Sequence, residues 1–313
     1  MVLGYQSPLY VMAFDHRGSF ERDLFGAKPP VRPEVRAGIT DAKKIIYEGF
    51  VRVVGSGAPR EAAGVLVDEQ FGAEVARAAK AAGYLLAMPV EKSGQPEFDF
   101  FYGEDFGAHI EAFDPKFAKV LVRYNAEGDR DLNARQSERL ARLSSWLHER
   151  DRKFLFELLV PPTREQLERC GGDHGRYDRE LRPDLVARAI GSLQDSGVNP
   201  DIWKIEGLET ANDCIQVVAQ ARTGGRDGVS CIVLGRGADL AKVTQWVEIA
   251  AGVPGFIGLA VGRTVWEDAL RAYLASTVTR DQAAATIADR YRDLVDAYVT
   301  TARAGVVPTS ESS

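Results

Sequence analysis

Asp201-Ile-Trp-Lys-Ile-Glu-Gly207 has the character of a buried parallel strand: short, apolar at its centre, and bounded by aspartate and glycine. Side chains alternate along a strand, so Lys204 shares one face with Ile202 and Glu206, while Trp203 and Ile205 take the other. The Trp/Ile face suits packing against helices. That leaves Lys204 on the face that becomes the interior when a sheet closes on itself.

Seven more runs have the same character: Leu9–His16, Gly64–Gln70, Tyr84–Lys92, Phe117–Asn125, Lys153–Val160, Ser230–Gly237 and Gly255–Val261. Amphipathic helical patterns lie between them at Pro33–Val54, Leu132–His148, Leu185–Leu193, Asn212–Ala221 and Leu240–Ala250. Trp266–Leu274 and Gln282–Tyr298 follow the last run. Eight such alternations predict an α/β fold of the (β/α)₈ TIM-barrel kind, whose usual length of roughly 250 residues suits a chain of 313. A doubly wound open sheet is the competing architecture, but Asp15-His-Arg-Gly18 is not the GxGxxG turn expected after its first strand. With no Pro/Ser-rich linker, one domain over residues 1–304 is expected, then a small polar tail over 305–313.

Composition narrows the function classes. Hydrophobic residues make up 45% and charged residues 27%, the profile of a globular enzyme. A net charge of −6 argues against nucleic acid or an acidic membrane surface as partner. The three cysteines (Cys170, Cys214, Cys231) are scattered, so neither a disulfide framework nor a zinc site is expected. The N-terminus lacks a basic segment followed by an apolar one, and no apolar run reaches the roughly 18 residues of a membrane span. A cytoplasmic location is the expectation.

In a barrel, chemistry gathers at the C-terminal ends of the strands. Those ends carry Asp15, His16 and Arg17; Asp68, Glu69 and Gln70; Glu91, Lys92 and Ser93; Lys119, Arg123 and Asn125; Glu157; Lys204 and Glu206; Arg236; and Arg263. Packing alone does not call for charge at nearly every strand end, because unpaired buried charge is strongly unfavourable. Lys119, Leu121 and Arg123 share one face of their strand, and Leu155, Glu157 and Leu159 share one face of theirs.

A buried lysine is by default a salt-bridged residue, and Glu206 or Glu157 would serve as the partner of Lys204. Set among carboxylates with Lys119 nearby, it also fits a chemical role. Burial and neighbouring positive charge favour the free amine, which attacks a carbonyl; the resulting iminium is an electron sink. Glu157 is typed to move protons around that centre, and Asp15 to handle a substrate hydroxyl. Arg263, beside Gly262 in Ala260-Val-Gly-Arg-Thr264, falls where barrels often bind phosphate, next to the loop Gly235-Arg236-Gly237. A metal-assisted site from Asp15, His16, Asp68 and Glu69 is conceivable, but no HxH or HExxH spacing supports it. Glu97-Phe-Asp-Phe-Phe-Tyr102 reads as a loop packed over the barrel rim, with a lid as the functional alternative.

A set of motifs in fixed order carries a resemblance: Val11-Met-Ala-Phe-Asp-His-Arg-Gly-Ser19, Leu66-Val-Asp-Glu-Gln-Phe-Gly72, Pro89-Val-Glu-Lys-Ser-Gly94, Lys119-Val-Leu-Val-Arg-Tyr-Asn125, Phe154-Leu-Phe-Glu157, Trp203-Lys-Ile-Glu-Gly207 and Val261-Gly-Arg-Thr264. From about Pro8 to Tyr298 the chain resembles the aldolase-like domain that, in many bacteria, follows the kinase in the inositol-catabolic 5-dehydro-2-deoxygluconokinase. More distantly it is similar to class I tagatose-1,6-bisphosphate aldolases. The resemblance implies a Schiff base on Lys204, proton transfer by Glu157, Asp15 and Lys119 beside the reacting carbons, and phosphate at Arg263. The resemblance does not extend to the kinase half, so sugar phosphorylation is not implied.

Arg123 and Gly235-Arg236-Gly237 depart from the bisphosphate aldolases, which carry a neutral residue and a serine-containing turn there. Arg17, Lys92 and Arg123 are candidates for a carboxylate clamp. A phosphorylated keto sugar acid is therefore expected, above all 2-deoxy-5-keto-gluconate 6-phosphate, cleaved to dihydroxyacetone phosphate and malonate semialdehyde. Substrate contacts are expected from Arg17, Glu69, Lys92, Arg123, Gly235, Arg236, Gly262 and Arg263, with no metal and no cofactor. The alternatives are a ketose bisphosphate or sulfonated sugar phosphate as substrate, a metal-assisted lyase, or a barrel that senses sugar phosphates without turnover. Self-association through outer helices is expected, as is usual for such barrels.

Overall fold

The computed structural model describes residues 2–28 and 30–305; of the expected tail, residues 306–313 lie outside the described residues. Eight parallel strands close into a barrel in sequence order: β1 (Leu9–Ala13), β2 (Ala63–Leu66), β3 (Leu85–Pro89), β4 (Phe117–Arg123), β5 (Lys153–Leu159), β6 (Ile202–Glu206), β7 (Ser230–Leu234) and β8 (Phe256–Val261). All eight runs read from the sequence are strands, and the fold is a single-domain (β/α)₈ barrel. The ring of helices is α1 (Pro33–Gly55), α2 (Glu69–Ala81), α3 (Phe106–Phe113), α4 (Arg130–Glu149), α5 (Arg164–Arg169), α6 (His174–Glu180), α7 (Arg182–Asp195), α8 (Ala211–Ala221), α9 (Leu240–Ala251), α10 (Arg263–Leu274) and α11 (Arg280–Ala304).

The core has two separate parts, and strand alternation divides them. Trp203, Ile205, Phe154, Phe156, Val120 and Val122 point outward into the layer shared with the helices. Leu9, Val11, Ala13, Leu66, Ala87, Phe117, Leu155, Ile202, Ile232 and Ala260 point inward and plug the barrel. At the N-terminal side Tyr5 closes the plug, its ring edge-on to Phe117 at 5.1 Å. One side-chain repeat further along the same strands the interior turns polar: Phe117 gives way to Lys119, Leu155 to Glu157 and Ile202 to Lys204.

The second strand ends earlier than its sequence pattern suggests. Asp68 is the N-cap of α2, its carboxylate accepting from the Phe71 N–H at 2.8 Å. Glu69 is therefore the first residue of a helix and pairs with His109 at 2.8 Å. The other Asp68 oxygen is taken by Lys43 of α1, a fully buried ammonium that also donates to the carbonyls of Phe14 at 2.6 Å and His16 at 3.0 Å. One cation thus fixes the loop that carries Asp15, His16 and Arg17.

α2 and α3, and the short α5 and α6, escaped the sequence reading. α2 begins inside the apolar run assigned to the strand, and α5 and α6 span only 6 and 7 residues. Residues 97–102 lie over the barrel rim as expected, with Phe98 and Phe100 buried and Phe100 stacked on Phe106 at 4.3 Å. Among the described residues no helix is long and apolar enough to cross a membrane. Removing the Lys43 ammonium leaves Asp68 buried without a counter-charge, so Lys43→Met is expected to destabilise the fold by about 3–5 kcal/mol in urea unfolding. A loss below about 1 kcal/mol would contradict this account of the loop.

Candidate active site

A cavity of about 340 Å³ opens at the C-terminal ends of the strands. Asp15, Arg17, Lys92, Lys119, Arg123, Glu157, Lys204, Gly235, Arg236, Gly262 and Arg263 all line it. Glu69 does not, because its position at the start of α2 turns it toward His109. Asp68 and Glu69 are engaged separately, by Lys43 and His109, and do not converge with Asp15 and His16. Among the described residues no group of three or more His, Cys, Asp or Glu is placed to hold a metal ion.

At the base of the cavity the charged side chains form one connected cluster. The Lys119 ammonium reaches three carboxylates: Asp15 at 2.8 Å, Glu91 at 2.9 Å and Glu157 at 3.0 Å. The contacts to Asp15 and Glu91 are hydrogen bonds, and the one to Glu157 is an ion pair. The other oxygen of Glu157 meets the Lys204 Nζ at 3.0 Å. Glu91 also lies 3.7 Å from Arg17, which donates to the Glu91 carbonyl at 2.7 Å and stacks over Phe101. Lys204 is 2% exposed and Lys119 1%, so both amines stand in the barrel interior.

Of the two partners the sequence offered Lys204, Glu157 is the one it meets. Glu206 follows the same strand parity but sits at the strand end. It accepts from the Val160 N–H at 3.1 Å and pairs with Arg236 at 3.0 Å. Arg236 is also held by Asp178 at 2.7 Å, on a left-handed backbone (φ 52°) flanked by glycines. Two carboxylates therefore occupy this guanidinium.

Burial would raise the Asp15 carboxyl, but Lys119, then His16 and Lys204, outweigh it and hold Asp15 well below the ordinary carboxylate range. Glu157 behaves alike: burial pushes it up, and Lys119 and Lys204 bring it below its usual value. For Glu91 burial wins over Lys119 and Arg17, and its carboxyl is raised. Burial opposes the Lys119 charge, yet the three surrounding carboxylates more than compensate and raise it. His16 is lowered to about 4 by burial, with Arg263 and Lys43 adding to the effect and Asp15 opposing it.

The rim is basic. Arg17, Arg22, Lys92, Arg123, Arg236 and Arg263 line it, and most already have a carboxylate partner: Arg22 has Asp23, and Lys92 has Asp99. Among the described residues, Arg123 and Arg263 have none within ion-pair distance. Arg123 ends β4, Arg263 follows β8, and Lys204 stands on β6 between them. In an eight-strand barrel β4 and β8 face each other across the mouth. Gly237, in the left-handed region at φ 73°, makes room for Arg263: a Cβ there would stand 2.8 Å from its guanidinium. Gly262 precedes α10, which has no side-chain N-cap and so presents free N–H groups beside Arg263.

Glu91 and Arg22 are cavity residues that the sequence reading left without a role. Glu91 was legible as an ionisable strand end; Arg22 sits on a short π-helical turn, Phe20–Leu24, that leaves no periodic signal.

The low position of His16 has a consequence for stability. An unfolded histidine takes up its proton near about pH 6.5, whereas His16 does so only at about 4. Its contribution is present above about pH 6.5 and is lost as pH falls toward 4, because the unfolded chain binds the proton first. The urea midpoint is expected to drop from pH 7 to pH 5 by a larger amount in the wild type than in His16→Gln. Equal drops in the two proteins would contradict a neutral His16.

No curated protein matches the sequence. Solved structures do. Cgl0159 from Corynebacterium glutamicum aligns over 95% of this chain and 88% of its own, at 17% identity and a TM-score of 0.56. A Schiff-base-forming fructose-1,6-bisphosphate aldolase aligns over 87% and 95%, at 15% identity and a TM-score of 0.53. The fructose-bisphosphate aldolase from Plasmodium falciparum, solved with TRAP and a small-molecule inhibitor, aligns over 95% and 97%, at 10% identity and a TM-score of 0.63. At these identities the likeness is one of fold. A family model matches residues 4–302, and the chain belongs to that family, described as "Uncharacterized protein conserved in bacteria (DUF2090)".

Proposed function

We propose that this chain is a Schiff-base-forming aldolase that cleaves a phosphorylated keto sugar acid, with 2-deoxy-5-keto-gluconate 6-phosphate as its substrate. The observation that carries the reading is the Lys204–Glu157 contact of 3.0 Å, buried in the barrel interior at the base of a basic-rimmed cavity. An amine next to a carboxylate that is ionised, and so able to take its proton, is the starting arrangement for attack on a ketone. The fold is shared with a Schiff-base-forming aldolase, which supports the reading by analogy.

The two unpaired guanidiniums suit a substrate with an anion at each end and the carbonyl between them. Arg263, with the N–H groups of α10, is assigned the phosphate, and Arg123, with Lys92 beside it, the carboxylate. Glu157 takes the proton of Lys204, the amine adds to the C5 ketone, and Glu157 returns the proton as water departs. Asp15 then accepts the C3 hydroxyl proton, the C3–C4 bond breaks, and its electron pair enters the iminium to give an enamine. Malonate semialdehyde leaves, the proton that Asp15 took is returned to C4 of the enamine, and water releases dihydroxyacetone phosphate and Lys204 with Asp15 ionised again. In the free site Asp15 stays ionised because Lys119 holds its carboxyl low, so a carboxylate oxygen is available to accept from that hydroxyl.

Protein given this substrate is expected to release dihydroxyacetone phosphate, measured with a coupled reductase, and Lys204→Met to release none. Borohydride added with dihydroxyacetone phosphate should leave a reduced adduct on the peptide containing Lys204. An adduct on another lysine, or none, would sink the mechanism. Asp15→Asn should still form the adduct while cleavage falls by about 10²–10⁴-fold. Full cleavage by this variant would remove Asp15 from the reaction.

A further inference from the structure

Within the charged cluster two polar atoms have no partner. Glu91 Oε2 and Arg17 Nε are both buried without a hydrogen bond among the described residues. Their side chains are 8% and 5% exposed, and both residues line the cavity, so the two unmet atoms lie just behind its surface. The contact between the two groups is long, 3.7 Å, whereas every bond of Lys119 to its carboxylates lies between 2.8 and 3.0 Å. No other fully buried polar atom of the cluster lacks a partner among the described residues.

We propose that Arg17 and Glu91 form a hydroxyl-recognition subsite, which holds the hydroxyl on the substrate carbon next to the Schiff-base carbon, on the side away from Arg263. The chemistry of the pair selects the group. Arg17 Nε–H is a donor and a carboxylate oxygen an acceptor, and a hydroxyl answers both. An anion would satisfy Arg17 and be repelled by Glu91. A hydroxyl also accepts from a protonated acid, so it suits the raised carboxyl of Glu91 in either state, whereas the repulsion of an anion belongs to the ionised state. Arg17 is thereby moved from the expected carboxylate clamp to hydroxyl binding, and the distal anion is left to Arg123 and Lys92.

The placement follows the barrel order. A phosphate at Arg263 and a ketone carbon on Lys204 run the substrate from β8 past β6. The next carbon then approaches the Lys119 cluster, where Glu91 is held. This inference rests on the Schiff-base reading, and the test separates the two.

The probes are dihydroxyacetone phosphate and acetol phosphate, which differ only in that hydroxyl. Borohydride trapping, followed by mass spectrometry of the Lys204 peptide, gives the ketone concentration for half-maximal adduct. The wild type is expected to favour dihydroxyacetone phosphate by about tenfold or more, the worth of a hydrogen bond to a charged group. Glu91→Gln keeps the shape, removes the charge and puts a donor amide in place of one acceptor oxygen, so the ratio should shrink toward one through weaker binding of dihydroxyacetone phosphate alone. Equal half-saturation by both ketones in the wild type would overturn the subsite while leaving the Schiff base standing. Equal weakening of both ketones by Glu91→Gln would also overturn it, since Glu91 would then act only through Lys119. No adduct with either ketone would sink the Schiff-base reading and this one with it. Should Glu91→Gln fail to fold by circular dichroism, the wild-type ratio decides, together with Arg17→Lys, which keeps the charge and loses the Nε donor.

Discussion

The Lys119 ammonium, buried in the barrel and bonded to Asp15, Glu91 and Glu157, is the interaction on which the site depends. It draws together carboxylates from the loop after β1, the segment after β3, and β5, around a residue of β4. Three carboxylates at such close quarters would repel one another and take up protons; one buried cation holds them together. The same charge keeps Asp15 and Glu157 ionised, as a hydroxyl acceptor and an amine deprotonator require. Held by three carboxylates at once, Lys119 acts by position and charge. The lysine with a single carboxylate partner is Lys204.

The cluster can exist because the barrel is built in layers. Inward residues of the first layer are apolar and seal the interior from the N-terminal side. The next inward position on the same strands carries the charges, one step below the open mouth. Lys43 and Asp68 do for the loop after β1 what Lys119 does for the cluster, fixing the backbone that presents Asp15, His16 and Arg17. Fold and site are therefore joined by two buried cations. The net charge of −6 sits elsewhere on the chain, while the cavity rim is basic, which focuses attraction for anions at the mouth.

Much of this was legible in the sequence because strand alternation has a period of two. That period placed Lys204 and Lys119 on interior faces, while both faces of the Glu157 strand are apolar and left its direction open; the eight short runs gave the barrel. Parity assigns a face, however, and not a partner. Glu206 and Glu157 were equal candidates for Lys204, and only the strand-end geometry sends Glu206 to Arg236. Asp68 and Glu69 looked like strand-end acids because they continue an apolar run. The capping hydrogen bond that starts α2 there is between near neighbours, but the Lys43 contact that locks it comes from 25 residues away. Glu91 was visible as a charge, while its unfilled oxygen depends on how two distant loops pack.

The account stands on Lys204 as the amine that becomes covalently attached, beside a lysine that does not. A crystal structure of the protein soaked with dihydroxyacetone phosphate tests this directly. Continuous density is predicted from Lys204 Nζ to the ketone carbon, with the phosphate at Arg263 and the start of α10, and Lys119 still on its three carboxylates. Density joined to Lys119, or a ketone lying free while Lys204 remains on Glu157, would contradict it.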